Sequence, residues 1–170
     1  LENLKNLSDF YGMLVFDIWT SNVDFRQVRF YKKKPNHPFR VVMIDNGDCF
    51  SRSQWHFKDK PRLCLYPLLY VYERVAGIEA FEPWLNILEL ELDRGFLSQI
   101  SHCIPPEWLG ADTEEFTRLL DQLDARRNVV RSLIWSLHRS SPSVFPNWPD
   151  SSTPSPVAAV PRLLQLPLRE

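Results

Sequence analysis

Apolar residues recur at helical spacing from the start of the chain. Leu4, Leu7, Tyr11, Leu14, Val15 and Ile18 share one face, which predicts an amphipathic helix over residues 3–19. Trp19 closes that face, and Thr20, Ser21 and Asn22 favour caps and turns over helix interiors. The helix therefore releases a loop carrying Asn22, Asp24 and Arg26. The period then changes. Gln27–Lys33 contains Val28, Phe30 and Tyr31 and suits a strand; Pro35, Asn36 and Pro38 break it; Arg40–Ile44 is a short β-branched run. The two strands predict a hairpin with a five- or six-residue tip. A lone hairpin is marginal in water and has to lie on a helical core.

The rest of the chain reads as helices. Residues 51–66 suggest an ordered loop, and Pro67 opens a helix with Leu68, Leu69, Tyr72, Val75 and Ala76 on its apolar face and Gly77 at its end. Phe81, Trp84, Leu85, Leu88 and Leu92 give another, broken near Gly95; Phe96, Leu97 and Ile100 continue as a shorter one that Pro105 and Pro106 stop. Asp112 and Glu115 have the form of a capping box. Phe116, Leu119, Leu120, Leu123, Val130, Leu133, Ile134 and Leu137 follow, as one helix to about residue 139 or as two with a break near Asp124. Arg126, Arg127 and Arg131 read as its wet face. Beyond residue 140 prolines become dense, and residues 149–170 are expected to be extended or disordered, with Val144, Phe145 and Trp148 packing back first. The expected fold class is α+β, mainly α, with one β-hairpin.

Composition narrows the function. The 170 residues are 44% hydrophobic with net charge −1, a globular chain that does not depend on nucleic-acid phosphates. Cys49, Cys64 and Cys103 and the four histidines have no zinc spacing and fit a reducing, cytoplasmic setting. No apolar run is long enough to span a bilayer, so no membrane partner is expected. Lys32–Lys34, the one basic run, reads as a solvated hairpin tip.

Asp24 before the hairpin and Asp45 after it are the pair of carboxylates that phosphoryl transfer of the kinase type uses. The hairpin brings both to one end. Arg26 stands where a cation could meet a transferring phosphate, and Asp45-Asn46-Gly47 supplies a D-x-G loop. Aspartate is also common in turns and at strand ends, so an unrelated helical interaction domain stays open on spacing alone.

Four features in order go further. FDIWTSNVDFR, MIDNGDCF, IPPEWL and RLLDQLDARRNVV together resemble the HipA-like kinase domain over about residues 7–138. The resemblance implies that residues 1–148 form a kinase C-terminal lobe, with Asp24 as general base, Asp45 as Mg²⁺ ligand and Asn22 orienting the loop. It implies ATP and Mg²⁺ as cofactors, and transfer of the γ-phosphate to a serine or threonine of a protein substrate. The departures are Arg29 where the family has its metal-binding asparagine, Asn46 for histidine, and Phe25 for the arginine after the aspartate. A guanidinium offers no acceptor, and at about 4 Å and an effective dielectric near 20 it would repel a divalent ion by roughly 8 kcal/mol. Asp48 is a spare carboxylate expected in solvent, and Cys49 a small buried hydrophobe. The five glycines are never clustered, so the phosphate-covering loop is missing from these residues. The expectation is a C-terminal lobe alone. Its missing N-terminal lobe would be encoded upstream or on another chain, and it would bind Mg²⁺–ATP weakly or not at all by itself. The alternatives are a pseudokinase used for binding and a helical interaction domain.

Overall fold

The structure is a computed structural model that describes residues 3–23 and 26–149. It is mixed α+β and mainly helical. In order it holds α1 (Asp9–Thr20), an antiparallel hairpin of β1 (Gln27–Tyr31) and β2 (Arg40–Ile44), four short 3₁₀ turns, then α2 (Glu82–Leu90), α3 (Arg94–Ser101), α4 (Pro106–Leu109), α5 (Thr113–Arg127), α6 (Val130–Ser140) and a last 3₁₀ turn. No helix among the described residues is long and apolar enough to cross a membrane.

Helix α1 is the centre. Phe10, Leu14 and Ile18, four residues apart, are all but inaccessible, and Tyr11, Met13, Val15 and Trp19 are buried around them. A helix apolar on nearly all sides belongs inside a core. Val71, Tyr72, Val75 and Phe81 from the 3₁₀ segment, Leu85 and Leu88 of α2, and Val130, Ile134 and Leu137 of α6 complete that core. The return segment closes it: Phe145 meets Tyr72 and Phe81 edge-on, and the Trp148 indole stacks on His138 at 4.4 Å between ring centres. Val144, Phe145 and Trp148 thus pack as expected. The rest of the expected disordered tail, residues 150–170, lies outside the described residues.

Several sequence expectations change. The first helix starts at Asp9, not residue 3. Residues 3–6 instead cover the free edge of β2: Lys5 N–H donates to the Phe39 carbonyl and Phe39 N–H to that of Asn3, both at 2.8 Å. The Asn6 amide exchanges two 2.9 Å bonds with the Val41 backbone. An uncovered strand edge would leave those backbone groups to solvent or to another chain, which outweighs one more turn of helix. Residues 67–76 hold only a 3₁₀ turn, Leu69–Tyr72, with Leu68 and Leu69 exposed. The β-branched and aromatic run Tyr70-Val71-Tyr72 loses side-chain freedom in a helix, and the burial of Val71 and Tyr72 supplies the fold instead.

Asp112 makes no capping bond; Asp93 caps α3 by accepting from Phe96 N–H at 2.8 Å. The short helix α3 ends at Ser101, before the two prolines as expected, and Pro106 opens the one-turn helix α4, which suits its fixed φ. The break after α5 falls at Asn128–Val129, past Asp124. The three arginines do not form a wet face. Arg126 is buried and donates to the carbonyls of Ile18 (2.8 Å) and Trp19 (3.0 Å) and to Asp59 (2.6 Å). Its charge satisfies the last carbonyls of α1, where the helix dipole favours a cation. Arg127 bonds Asp124 and the Glu89 carbonyl, and Arg131 bridges Glu82 and Glu89.

Candidate functional site

The end of α1 sets the site. Ser21 adopts a left-handed conformation (φ 54°), and Asn22 N–H returns to the Asp17 carbonyl at 2.9 Å, so the helix stops and the chain turns towards β1. Asp17 sits on the last turn and is 1% exposed. A buried carboxylate needs partners. Its oxygens accept from the Asn22 amide at 3.1 Å and from Arg26, with Arg26 Nε at 3.2 Å from Oδ2 and the Nη2 group on Oδ1. Burial pushes the Asp17 carboxyl above the ordinary carboxylate range, while the Arg26 and Asn22 contacts oppose that rise.

Arg26 is itself buried and spans two loops. Beyond Asp17, its Nη1 group donates to the Asp45 carbonyl at 2.8 Å, to the Ile44 carbonyl at 3.5 Å and to the Asn46 side-chain oxygen. One guanidinium thus ties the end of α1 to the D-x-G loop that leaves β2. Its donors are spent on protein acceptors, so it acts on this geometry as a clamp between loops. The Asn22 side-chain oxygen is buried and accepts no hydrogen bond from the described residues.

Asp45 is exposed at the same end of the hairpin, just after β2, in a left-handed conformation (φ 64°), a cost tolerated by aspartate better than by most residues. Its Oδ2 accepts from the Gln27 amide at 2.9 Å and its Oδ1 from Gly47 N–H at 3.3 Å. Gln27 pairs with Ile44 across the hairpin, so its amide stands beside Asp45 by register. Arg29 is exposed and pairs with Val42, on the hairpin face opposite the one bearing Val28 and Val41. Asp24, the expected general base, lies outside the described residues. Asn22, Arg26 and Asp45 are therefore linked through Asp17 and the Arg26 clamp.

Asp48 is half-buried rather than solvated. Cys49 is half-buried too; burial raises its thiol pKa, opposed by a hydrogen bond with Thr20. An open cavity of about 280 Å³ lies against Arg26, Met43, Asn46 and Trp84. The Trp84 indole closes over Gly12 of α1, where an added Cβ would meet the indole nitrogen at 2.2 Å.

Mg²⁺ takes hard oxygen ligands in near-octahedral array. Asp45 carries oxygens of this kind, which accept here from the Gln27 amide and Gly47 N–H. Among the described residues no three His, Cys, Asp or Glu side chains gather to hold a metal ion, and the nearby cationic Arg26 is fixed against the inner side of the loop. The described residues by themselves do not supply a set of Mg²⁺ ligands.

Sequence reasoning missed Asp17 and Arg126. The signal for Asp17 was present: an aspartate within the apolar run Phe16-Asp17-Ile18-Trp19 must be buried with a partner. No family model, no curated protein and no solved structure matches the chain.

Proposed function

We propose that this chain is a HipA-like kinase C-terminal lobe whose phosphoryl-transfer site is incomplete, and that it acts as a binding lobe unless a nucleotide-binding lobe joins it. One observation carries the reading: the Arg26 clamp, which fastens the loop after α1 to the Asp45-Asn46-Gly47 loop at one end of a hairpin. Kinase chemistry is mostly positioning, and it needs the general-base loop and the metal loop held together. A turn aspartate and a strand-end aspartate with no common task would need no buried arginine between their loops. Asp24 enters this reading on the family resemblance alone.

The test is isothermal titration of the isolated chain with Mg²⁺–ATP, alone and with a nucleotide-binding lobe supplied by fusion. The isolated chain is expected to give little or no binding heat and no autophosphorylation. In the fused protein Arg29→Asn raises nucleotide affinity and Asp45→Ala abolishes it. Submicromolar binding by the isolated chain, or phosphate transfer that disappears in Asp24→Ala, contradicts the incompleteness. A fused Arg29→Asn protein without gain contradicts the kinase reading.

A helical interaction domain is the second reading, favoured by Trp108 (78% exposed) in the α4 turn and Leu90 (77% exposed) at the end of α2. Side chains this large and this open offer apolar surface to a partner. On that reading, neither Arg29→Asn nor Asp45→Ala alters nucleotide binding.

A further inference from the structure

Asn46 is the only asparagine of the chain that precedes a glycine; the others precede leucine, valine, isoleucine, histidine or tryptophan. The side-chain carbon of an asparagine and the next backbone nitrogen are neighbours by covalent geometry and can close a cyclic imide, with the advantage of an intramolecular reaction. A side chain on the following residue hinders that closure, and glycine leaves its nitrogen open to approach. Gly47 does not have a left-handed φ, and an added Cβ there would meet only Asp45 Oδ1, at 3.4 Å. Its backbone conformation is therefore one that alanine could adopt. Asn46 itself is exposed in an irregular loop.

The same loop holds the groups that such a ring closure uses. The Nη1 group of the buried Arg26 donates to Asn46 Oδ1. A guanidinium on that oxygen leaves Asn46 Cγ more open to attack, and it already stands where negative charge develops. Arg26 is fixed there by the Asp17 carboxylate and by the Asp45 carbonyl at 2.8 Å. On the other side of the bond to be made, Gly47 N–H donates to Asp45 Oδ1 at 3.3 Å. The Gln27 amide holds the second oxygen of that carboxylate at 2.9 Å. Asp45 is thus positioned to take the Gly47 proton as a general base.

We propose that Asn46 is a self-modification site, deamidated by the loop that holds it. The Gly47 nitrogen attacks Asn46 Cγ and passes its proton to Asp45, while Arg26 stabilises the oxyanion that forms on Oδ1. The intermediate collapses with cleavage of the bond from Cγ to Nδ2. That nitrogen recovers the proton from Asp45 and leaves as ammonia, and a cyclic imide remains. Water then reopens the ring. Addition at Cγ gives aspartate, and addition at the Asn46 backbone carbonyl gives isoaspartate. In balance one water enters and one ammonia leaves, with no change of oxidation state. The aspartate form sets a carboxylate against Arg26 and makes their contact charge-assisted on both sides. The isoaspartate form runs the backbone through the side chain and lengthens the loop between β2 and the first 3₁₀ turn. This inference stands apart from the kinase reading, since it needs neither nucleotide nor metal.

The test incubates the full chain in heavy-oxygen water at neutral pH and follows it by peptide mapping and mass spectrometry. The peptide holding position 46 is expected to exchange its amide for an acid bearing heavy oxygen, ahead of every other asparagine. Asp45→Asn keeps the shape of an exposed residue and its left-handed φ, and should slow the conversion at least about tenfold through loss of the base. Gly47→Ala, whose Cβ has room, should slow it further. The native chain unfolded in guanidinium chloride keeps the dipeptide but disperses Arg26 and Asp45. It is expected to convert about tenfold more slowly than the folded chain, and this comparison needs no variant to fold. No heavy oxygen at position 46, conversion in the folded chain no faster than in the unfolded one, or rates unchanged in Asp45→Asn or Gly47→Ala would each overturn the proposal.

Discussion

Helix α1 and the β1–β2 hairpin carry comparable apolar sequence and meet opposite fates. Of the apolar residues in α1 only Phe16 faces solvent to any extent, while in the hairpin strands only Val41 is fully buried. The difference lies in what surrounds each. The helix has α2, α5 and α6 on its flanks, whereas the hairpin buries only part of one face, with Val41 inside and residues 3–6 along the edge of β2. The helix therefore fixes the fold, and the hairpin presents surface: Asp45 at its base and the open rings of Phe30 and Tyr31 on β1. Function is more readily carried by the partly supported element, since its residues are not all committed to packing.

The clamp between the two regions should break the comparison most sharply. Arg26→Ala leaves Asp17 charged and unpaired in the interior, and chemical denaturation is expected to show a loss of about 3–5 kcal/mol. Replacing both partners together, Asp17→Asn with Arg26→Met, should cost less than Arg26→Ala alone, because no uncompensated charge remains. A double variant as damaging as the single would mean that the clamp acts through packing instead.

Next in size is the core of α1. Leu14→Ala is expected to cost about 2–5 kcal/mol in the same measurement. Tyr31→Ala, on the half-exposed outer face opposite Arg40, should cost below about 1 kcal/mol, the scale of one cross-strand pair. Similar losses at both positions would erase the contrast between helix and hairpin.

The pH dependence is smaller. Burial raises the Asp17 carboxyl above its unfolded value near 3.8. Between the unfolded and folded values the folded chain binds more protons, so the Asp17 contribution falls as pH rises through that window and is level above it. Subtracting the stability curve of Asp17→Asn from that of the native chain should isolate this downward step. A difference that rises with pH over the same window would show that Arg26 outweighs burial.

The smallest effect concerns the thiols. Burial pushes Cys64 up to about 12, whereas Cys103 is exposed. Only the thiolate reacts. A thiol reagent at mildly alkaline pH is therefore expected to label Cys103 promptly and Cys64 only on unfolding; early labelling of Cys64 would indicate that the end of α1 opens readily.

Periodicity makes α1, α2 and the α5–α6 pair legible, and the breakers Pro35, Asn36 and Pro38 between two β-rich runs do the same for the hairpin. It fails where long-range partners decide. Residues 3–6 cover β2 because of an edge formed more than thirty residues away, and Arg126 turns inward because the end of α1 needs a cation. Local sequence has no signal for either. Asn22, Arg26 and Asp45 stand out in the sequence, but the partners of Arg26 do not. A cation near a D-x-G loop suggests phosphate, and only the burial of Asp17 shows which partners hold it.

The central claim is that two loops joined by Arg26 form one kinase-like site. The most direct measurement is a crystal structure that locates Asp24 and gives the separation of its carboxylate from that of Asp45. Both are expected to face one cleft, within about 10 Å, close enough for a metal–phosphate group to bridge them. Carboxylates on opposite faces of the hairpin would contradict it.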